Sequence, residues 1–137
     1  MKLTYPACFY KDSDSDAYAV IVPDLPGCVS GGKSLSDAIL MGVDAASGWV
    51  LDELESGRSA PLASAIDEIK PDKGGFVSLL MLDMDAYAAQ HGEAPINKNL
   101  SIPAYLATFA ESRHIDISKI AQEALSQLYQ DQQAAGG

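Results

Sequence analysis

Side chains that usually carry chemistry are scarce in this chain: 137 residues hold two histidines, two cysteines and one tryptophan. His91 and His114 stand in different regions of the sequence, and neither has a sequence context that suggests a base or a metal ligand. Cys8 and Cys28 are too few for a disulfide scaffold, so two reduced, buried thiols are expected. No apolar run approaches the roughly 20 residues that span a bilayer. The opening Met1-Lys2-Leu3-Thr4-Tyr5-Pro6 lacks the apolar stretch of a secretory signal, and a cytoplasmic protein is expected. Basic residues are also few, nine against nineteen acids, for a net charge of −10. The hydrophobic fraction is nonetheless 47%, enough for a folded core rather than a disordered chain.

The charge is unevenly spread. Residues 1–93 contain six basic and fifteen acidic side chains, a net of −9, whereas residues 94–137 contain three and four, a net of −1. The first part repels nucleic acid and attracts a basic partner. The second leaves room for a small basic face.

Aromatic and β-branched residues predict strands over 3–10 and 17–22, joined by the polar loop Lys11-Asp12-Ser13-Asp14-Ser15-Asp16. Pro23-Asp24-Leu25-Pro26-Gly27 reads as a tight turn into a short third strand, Cys28-Val29-Ser30. Ser34 with Asp37 forms a variant capping box ahead of a helix. Its apolar stripe is Leu35, Ala38, Ile39, Val43, Ala46, Trp49, Val50 and Leu54. Gly42 and Gly48 within it are explained if the helix lies close against a sheet. After a Pro- and Gly-containing connection, Phe76-Val77-Ser78-Leu79-Leu80-Met81-Leu82 reads as a fourth strand, buried because it is almost continuously apolar. A short helix over 83–90 follows, and Gly92-Glu93-Ala94-Pro95 marks the domain boundary. Domains over 1–93 and 94–137 are expected.

In the second domain, residues 96–102 alternate apolar and polar. Pro103 opens a helix with Leu106, Phe109 and Ala110 on one side. Asp116 caps another, with Ile117, Ile120, Ala121, Ala124, Leu125 and Leu128 facing inward, and the tail from Gln130 is expected to fray. One strand and two helices in about 35 residues cannot bury a core alone. A dimer with paired strands and interlocked helices solves the problem.

Asn97-Lys98-Asn99-Leu100-Ser101-Ile102-Pro103 and Asp116-Ile117-Ser118-Lys119-Ile120-Ala121 resemble the ribbon-helix-helix family of DNA-binding proteins. A two-stranded ribbon fits the major groove, and asparagine pairs bidentately with adenine. With Leu100 and Ile102 inward, the resemblance makes Asn97, Asn99 and Ser101 the base readers. Lys98 replaces an apolar residue usual in the family; it either reaches a phosphate or marks a loosened strand. Ser118 and Lys119, at the start of the second helix, are the other phosphate candidates.

Tyr5-Pro6-Ala7, Tyr18-Ala19-Val20, Val22-Pro23-Asp24-Leu25-Pro26-Gly27-Cys28, Gly32 and Ser34-Leu35-Ser36-Asp37-Ala38 closely resemble the HicB antitoxin family. The resemblance implies an α+β protein: a partial ribonuclease-H-like module of order β-β-β-α-β, then the β-α-α ribbon-helix-helix module for dimerisation and DNA binding. It also implies a type II antitoxin that inhibits a HicA-type mRNA-cleaving ribonuclease and represses its own operon as a dimer or dimer of dimers. Neither cofactor nor metal is implied. Toxin-facing candidates are the hairpin carboxylates Asp12, Asp14 and Asp16, with Tyr18 and Asp24; the hairpin tip and the Asp24 turn have structural explanations as well.

A ribonuclease-H-like fold raises the question of catalysis, which needs converging carboxylates including one on the first strand. Residues 3–10 contain none, and Asp44, Asp52, Asp83 and Asp85 do not complete a set. The chain is therefore expected not to be an enzyme. The alternative is a stand-alone ribbon-helix-helix transcriptional regulator with an N-terminal ligand-sensing module.

Overall fold

The computed structural model describes residues 1–93 and 98–136. It falls into two compact units, Met1–Pro95 and Ile96–Gly137.

The first unit is a four-stranded antiparallel sheet with helices. Strands β1 (Lys2–Lys11), β2 (Tyr18–Ile21) and β3 (Val29–Gly32) precede helix α1 (Leu35–Glu55); β4 (Gly75–Asp83) and helix α2 (Met84–His91) follow. The sheet order is β3-β2-β1-β4. Alternation along β1 sends Tyr5, Ala7 and Phe9 to one face, where they join Val20, Leu80 and Leu82 in the core with Ala38, Ala46 and Val50 of α1. Phe76 stacks on Phe9 and receives the edge of Tyr18.

Local signals position α1. Ser34 Oγ accepts the Asp37 N–H at 3.1 Å, and the Asp37 carboxylate accepts the Lys33 N–H at 2.9 Å. This reciprocal cap satisfies two amides that helix geometry leaves without partners. A Cβ at Gly42 would lie 3.2 Å from Leu80 and 3.3 Å from Val20, so the helix does lie close to the sheet there. Gly48 instead faces Tyr87 of α2, whose hydroxyl would be 3.0 Å from an added Cβ. Its smallness serves helix–helix approach.

The Pro23–Gly27 turn is held by Leu25 N–H to Val22 O and Cys28 N–H to Leu25 O, with Gly27 at φ +81°. Leu25 is fully buried, and Trp49 Nε1 donates to Pro26 O at 3.0 Å, tying the turn to α1. Cys8 and Cys28 are both free and buried, and burial pushes the Cys28 thiol pKa up.

β4 departs from its expected burial. It is an edge strand, and only Leu80 and Leu82 are fully buried, while Leu79 and Met81 face out on the opposite side. Continuous apolarity does not distinguish a strand covered on both faces from one whose second face is apolar and open.

The second unit contains helices α3 (Ala104–Ser112) and α4 (Ile117–Gly136). The strand expected over 96–102 is not formed in its described part, residues 98–102, which hold no regular structure. A strand needs a ladder partner, and the single chain offers none there. The tail expected to fray from Gln130 continues α4 instead. Its glutamines and alanines favour helix, and Gln127 donates to the Asp131 carboxylate one turn on at 3.0 Å. The turn between the helices places His114 at φ 54°, and Ile115 N–H closes it on Ala110 O. Ala110 is the only described residue of this unit that is buried. Leu100, Leu106, Phe109, Ile120, Leu125 and Leu128 are all exposed in the single chain.

Candidate functional site

The residues singled out from the sequence fall into two groups. In the second unit, Lys98, Asn99 and Ser101 lie together in the irregular segment before α3, all exposed. Asn97 lies outside the described residues. Ser118 and Lys119 occupy the first turn of α4, also exposed. Asp116 caps that turn: its carboxylate accepts the Lys119 N–H at 3.1 Å. That amide is therefore not free for a phosphate, and the carboxylate beside it opposes an anion. The exposed polar side chains at this helix end are then those of Ser118 and Lys119.

In the first unit, Asp12, Asp14 and Asp16 are exposed on the β1–β2 loop. Asp12 is partly spent on the loop itself. Its carboxylate accepts the Ser15 hydroxyl at 2.7 Å, and this bond, with backbone donors and nearby Lys11, holds its pKa below the usual carboxylate range. Lys11 Nζ reaches Ser15 O at 2.8 Å across the same loop. Asp14 and Asp16 remain the outward negative charges of the hairpin. Tyr18 is half-buried, its ring turned toward Phe76.

Asp24 does different work. Its two oxygens accept the Ser64 N–H at 2.8 Å and the Ser64 hydroxyl at 2.6 Å, fastening the β2–β3 turn to the α1–β4 connection. The Tyr5 hydroxyl donates to Pro61 O at 2.6 Å in the same region. Burial, reinforced by the Asp24 charge, raises the Tyr5 pKa, which keeps that hydroxyl a donor. Asp24→Ala removes two bonds to a charged, half-buried acceptor and is expected to cost about 2–4 kcal/mol. Urea unfolding of wild type and variant at one temperature measures the difference, and an unchanged midpoint would deny Asp24 this role.

One feature has little sequence signal. A cleft of about 540 Å³ opens between α1 and α2, lined by Asp52, Glu55, Tyr87, His91 and Glu93 among others. Tyr87 and His91, one helical turn apart, stack with ring centroids 4.4 Å apart. Burial and the charges of Asp44 and Asp52 raise the Tyr87 pKa. The i, i+4 spacing of Tyr87 and His91 was the available clue, but the carboxylates come from a helix thirty-odd residues upstream. Among the described residues, no group of three or more His, Cys, Asp or Glu could hold a metal ion. No described helix is long and apolar enough to cross a membrane.

A protein of Haemophilus phage HP1, described as an uncharacterised 14.9 kDa protein in the rep-hol intergenic region, is 32% identical over 106 residues, 76% of each chain. A toxin–antitoxin complex from Streptococcus pneumoniae contains a chain that matches with a TM-score of 0.63 at 25% identity, covering 93% of this chain and 99% of that one. The Burkholderia pseudomallei antitoxin HicB matches with a TM-score of 0.54 at 31% identity, over 93% of this chain and 98% of that one. The family model for the HicB-like antitoxin of bacterial toxin–antitoxin systems matches residues 5–127, through the sheet and both helices of the second unit, and the chain belongs to that family.

Proposed function

We propose that this antitoxin uses its two units for two tasks, divided at the expected boundary between residues 93 and 94. Antitoxins of this family are regulators rather than enzymes. Unit one, as a partial ribonuclease-H-like module, binds and inhibits a HicA-type mRNA-cleaving ribonuclease. Its net charge of −9 suits a basic, RNA-binding partner. Asp14 and Asp16 on the hairpin and the acidic cleft beside Tyr87 present that charge outward.

Unit two pairs with a second copy as a ribbon-helix-helix dimer and represses the operon by binding operator DNA in the cytoplasm. The observation that carries this reading is the open apolar surface of α3 and α4. Two helices with Leu106, Phe109, Ile120, Leu125 and Leu128 exposed are not a finished domain, and a second copy supplies the missing half of the core. Pairing of the two 96–102 segments gives each the ladder partner it lacks and turns Asn97, Asn99 and Ser101 to the same side, toward the major groove.

Operator binding over a salt titration tests the DNA half. Asn99→Ala is expected to lose about 1–3 kcal/mol of specific binding, roughly 5- to 150-fold in affinity, without loss of stability. Lys119→Ala should weaken binding to every sequence alike and flatten the salt dependence by about one unit for a lost phosphate contact. Unchanged operator affinity in Asn99→Ala, with assembly intact, would take the ribbon out of the groove.

A further inference from the structure

The cleft between α1 and α2 joins depth, negative charge and an aromatic wall in one place. Gly48 shapes it: with no side chain there, the Tyr87 hydroxyl closes on α1 to where an added Cβ would be only 3.0 Å away. The Tyr87 ring, stacked on His91, is held against that helix as one wall of the cleft. Asp52 and Glu55, three residues apart on α1 and so on one face of it, line the same space. Glu93, just beyond the end of α2, is brought to them by its N–H, which donates to the Glu55 carboxylate at 3.3 Å.

No lysine or arginine is among the described residues that line this space of about 540 Å³. Arg58 lies close enough to Asp52 to feel its charge, but its guanidinium is taken by Glu53, with Nε and Nη2 donating at 2.8 and 3.1 Å. Among the described residues, Asp52, Glu55 and Glu93 enter no ion pair. Their charge alone would suit any cation, and the aromatic wall narrows the choice. A guanidinium is planar and weakly hydrated, so its face rests on a ring while its N–H fork reaches carboxylates beside it. An ammonium is a strongly hydrated point charge with no flat face to use.

We propose that the cleft seats one arginine side chain of the toxin, its guanidinium against Tyr87 and its N–H groups donating to Asp52 and Glu55. The inference rests on the toxin-binding role proposed for the first unit. It gives the diffuse attraction of a module of net charge −9 one defined point of attachment. An RNA-binding toxin presents arginines to phosphates, and an arginine held in this cleft is withdrawn from RNA.

The test is the affinity of the full-length chain for the HicA-type toxin, measured by calorimetry. Asp52 and Glu55 are exposed, so Asp52→Asn with Glu55→Gln should fold, as circular dichroism and a thermal melt will verify. The pair should weaken toxin binding about 30-fold or more, the scale for stripping one side of a desolvated ion pair. Glu55→Gln alone, which keeps an acceptor for the Glu93 N–H, should act in the same direction and serves if the double variant unfolds. Asp67→Asn with Asp72→Asn removes the same charge from exposed positions elsewhere in the unit and should change affinity by less than about fivefold. Each toxin arginine is then replaced by alanine in turn. One replacement should weaken binding to wild type and add little further loss in Asp52→Asn. Wild-type affinity in a folded cleft variant would overturn the cleft proposal and leave toxin binding by the first unit standing. Equal losses in the cleft and control pairs, or coupling of Asp52 to no toxin arginine, would overturn it as well. No binding by the wild-type chain would overturn the toxin-binding role itself, and the cleft proposal with it.

Discussion

Leu100→Asp is expected to abolish operator binding while leaving toxin capture intact. In the single chain Leu100 is 61% exposed, so an aspartate there costs the monomer little. In the proposed dimer the side chain turns into the shared core, and each interface receives two carboxylates. An unpaired buried charge costs several kcal/mol. Two related by symmetry exceed what an interface of about 35 residues per chain can absorb. Light scattering should show half the wild-type mass, and a gel-shift assay no specific complex. Coexpressed toxin should still copurify, because the acidic surfaces of the first unit are untouched. Retention of operator binding would sink the ribbon-helix-helix reading; loss of toxin capture from a folded variant would sink the division of tasks.

Gly32→Ala should have the largest effect on the first unit. A Cβ at this position would lie 2.4 Å from the Ala38 amide nitrogen and 2.6 Å from the Asp37 carbonyl carbon. These are backbone atoms of the first turn of α1, so no rotamer change relieves the clash. Either β3 or the helix start must move, and with it the Ser34–Asp37 cap. The expected cost is at least about 3 kcal/mol, at the severe end for a single methyl. Thermal unfolding and the yield of soluble protein measure it, and toxin capture should fall with the folded fraction. Gly42→Ala provides the contrast. Its added Cβ would meet only the side chains of Leu80 and Val20 at 3.2–3.4 Å, which can give slightly. A fully stable Gly32→Ala protein would mean that the approach of α1 to β3 is looser than the geometry describes.

The first unit was largely legible because its signals are local. Ser34 with Asp37, the Pro-Asp-Leu-Pro-Gly turn and the alternation of Tyr5, Ala7 and Phe9 each specify structure within a few residues. β4 misled because composition records apolarity but not coverage. Leu79 and Met81 resemble Leu80 and Leu82 until the sheet order places the strand at an edge. Asp24 was ambiguous for a related reason, since its partner Ser64 lies forty residues on. The cleft at Tyr87 and His91 joins two helices whose carboxylates and rings no short motif links. In the second unit the helices were readable from their spacing and from Asp116, but residues 98–102 form no strand in the single chain. Alternation over 96–102 indicates which side chains would share a face, and in the proposed dimer a second copy would supply the ladder.

The connection between α1 and β4 has a consequence for chain entropy. Residues 56–74 form no strand or α-helix, yet they are fastened along their length by the Tyr5 hydroxyl at Pro61, the Asp24 carboxylate at Ser64 and the Tyr10 hydroxyl at Asp72. All three anchoring side chains come from β1 or the turn after β2, elements made before the connection in chain order. A span that would otherwise wander as one long loop is thereby divided into shorter ones, each with less freedom left to lose. The closing strand is delivered to its edge along a route already staked out by the first hairpin. The fold can therefore place an edge strand last without leaving it on a slack tether.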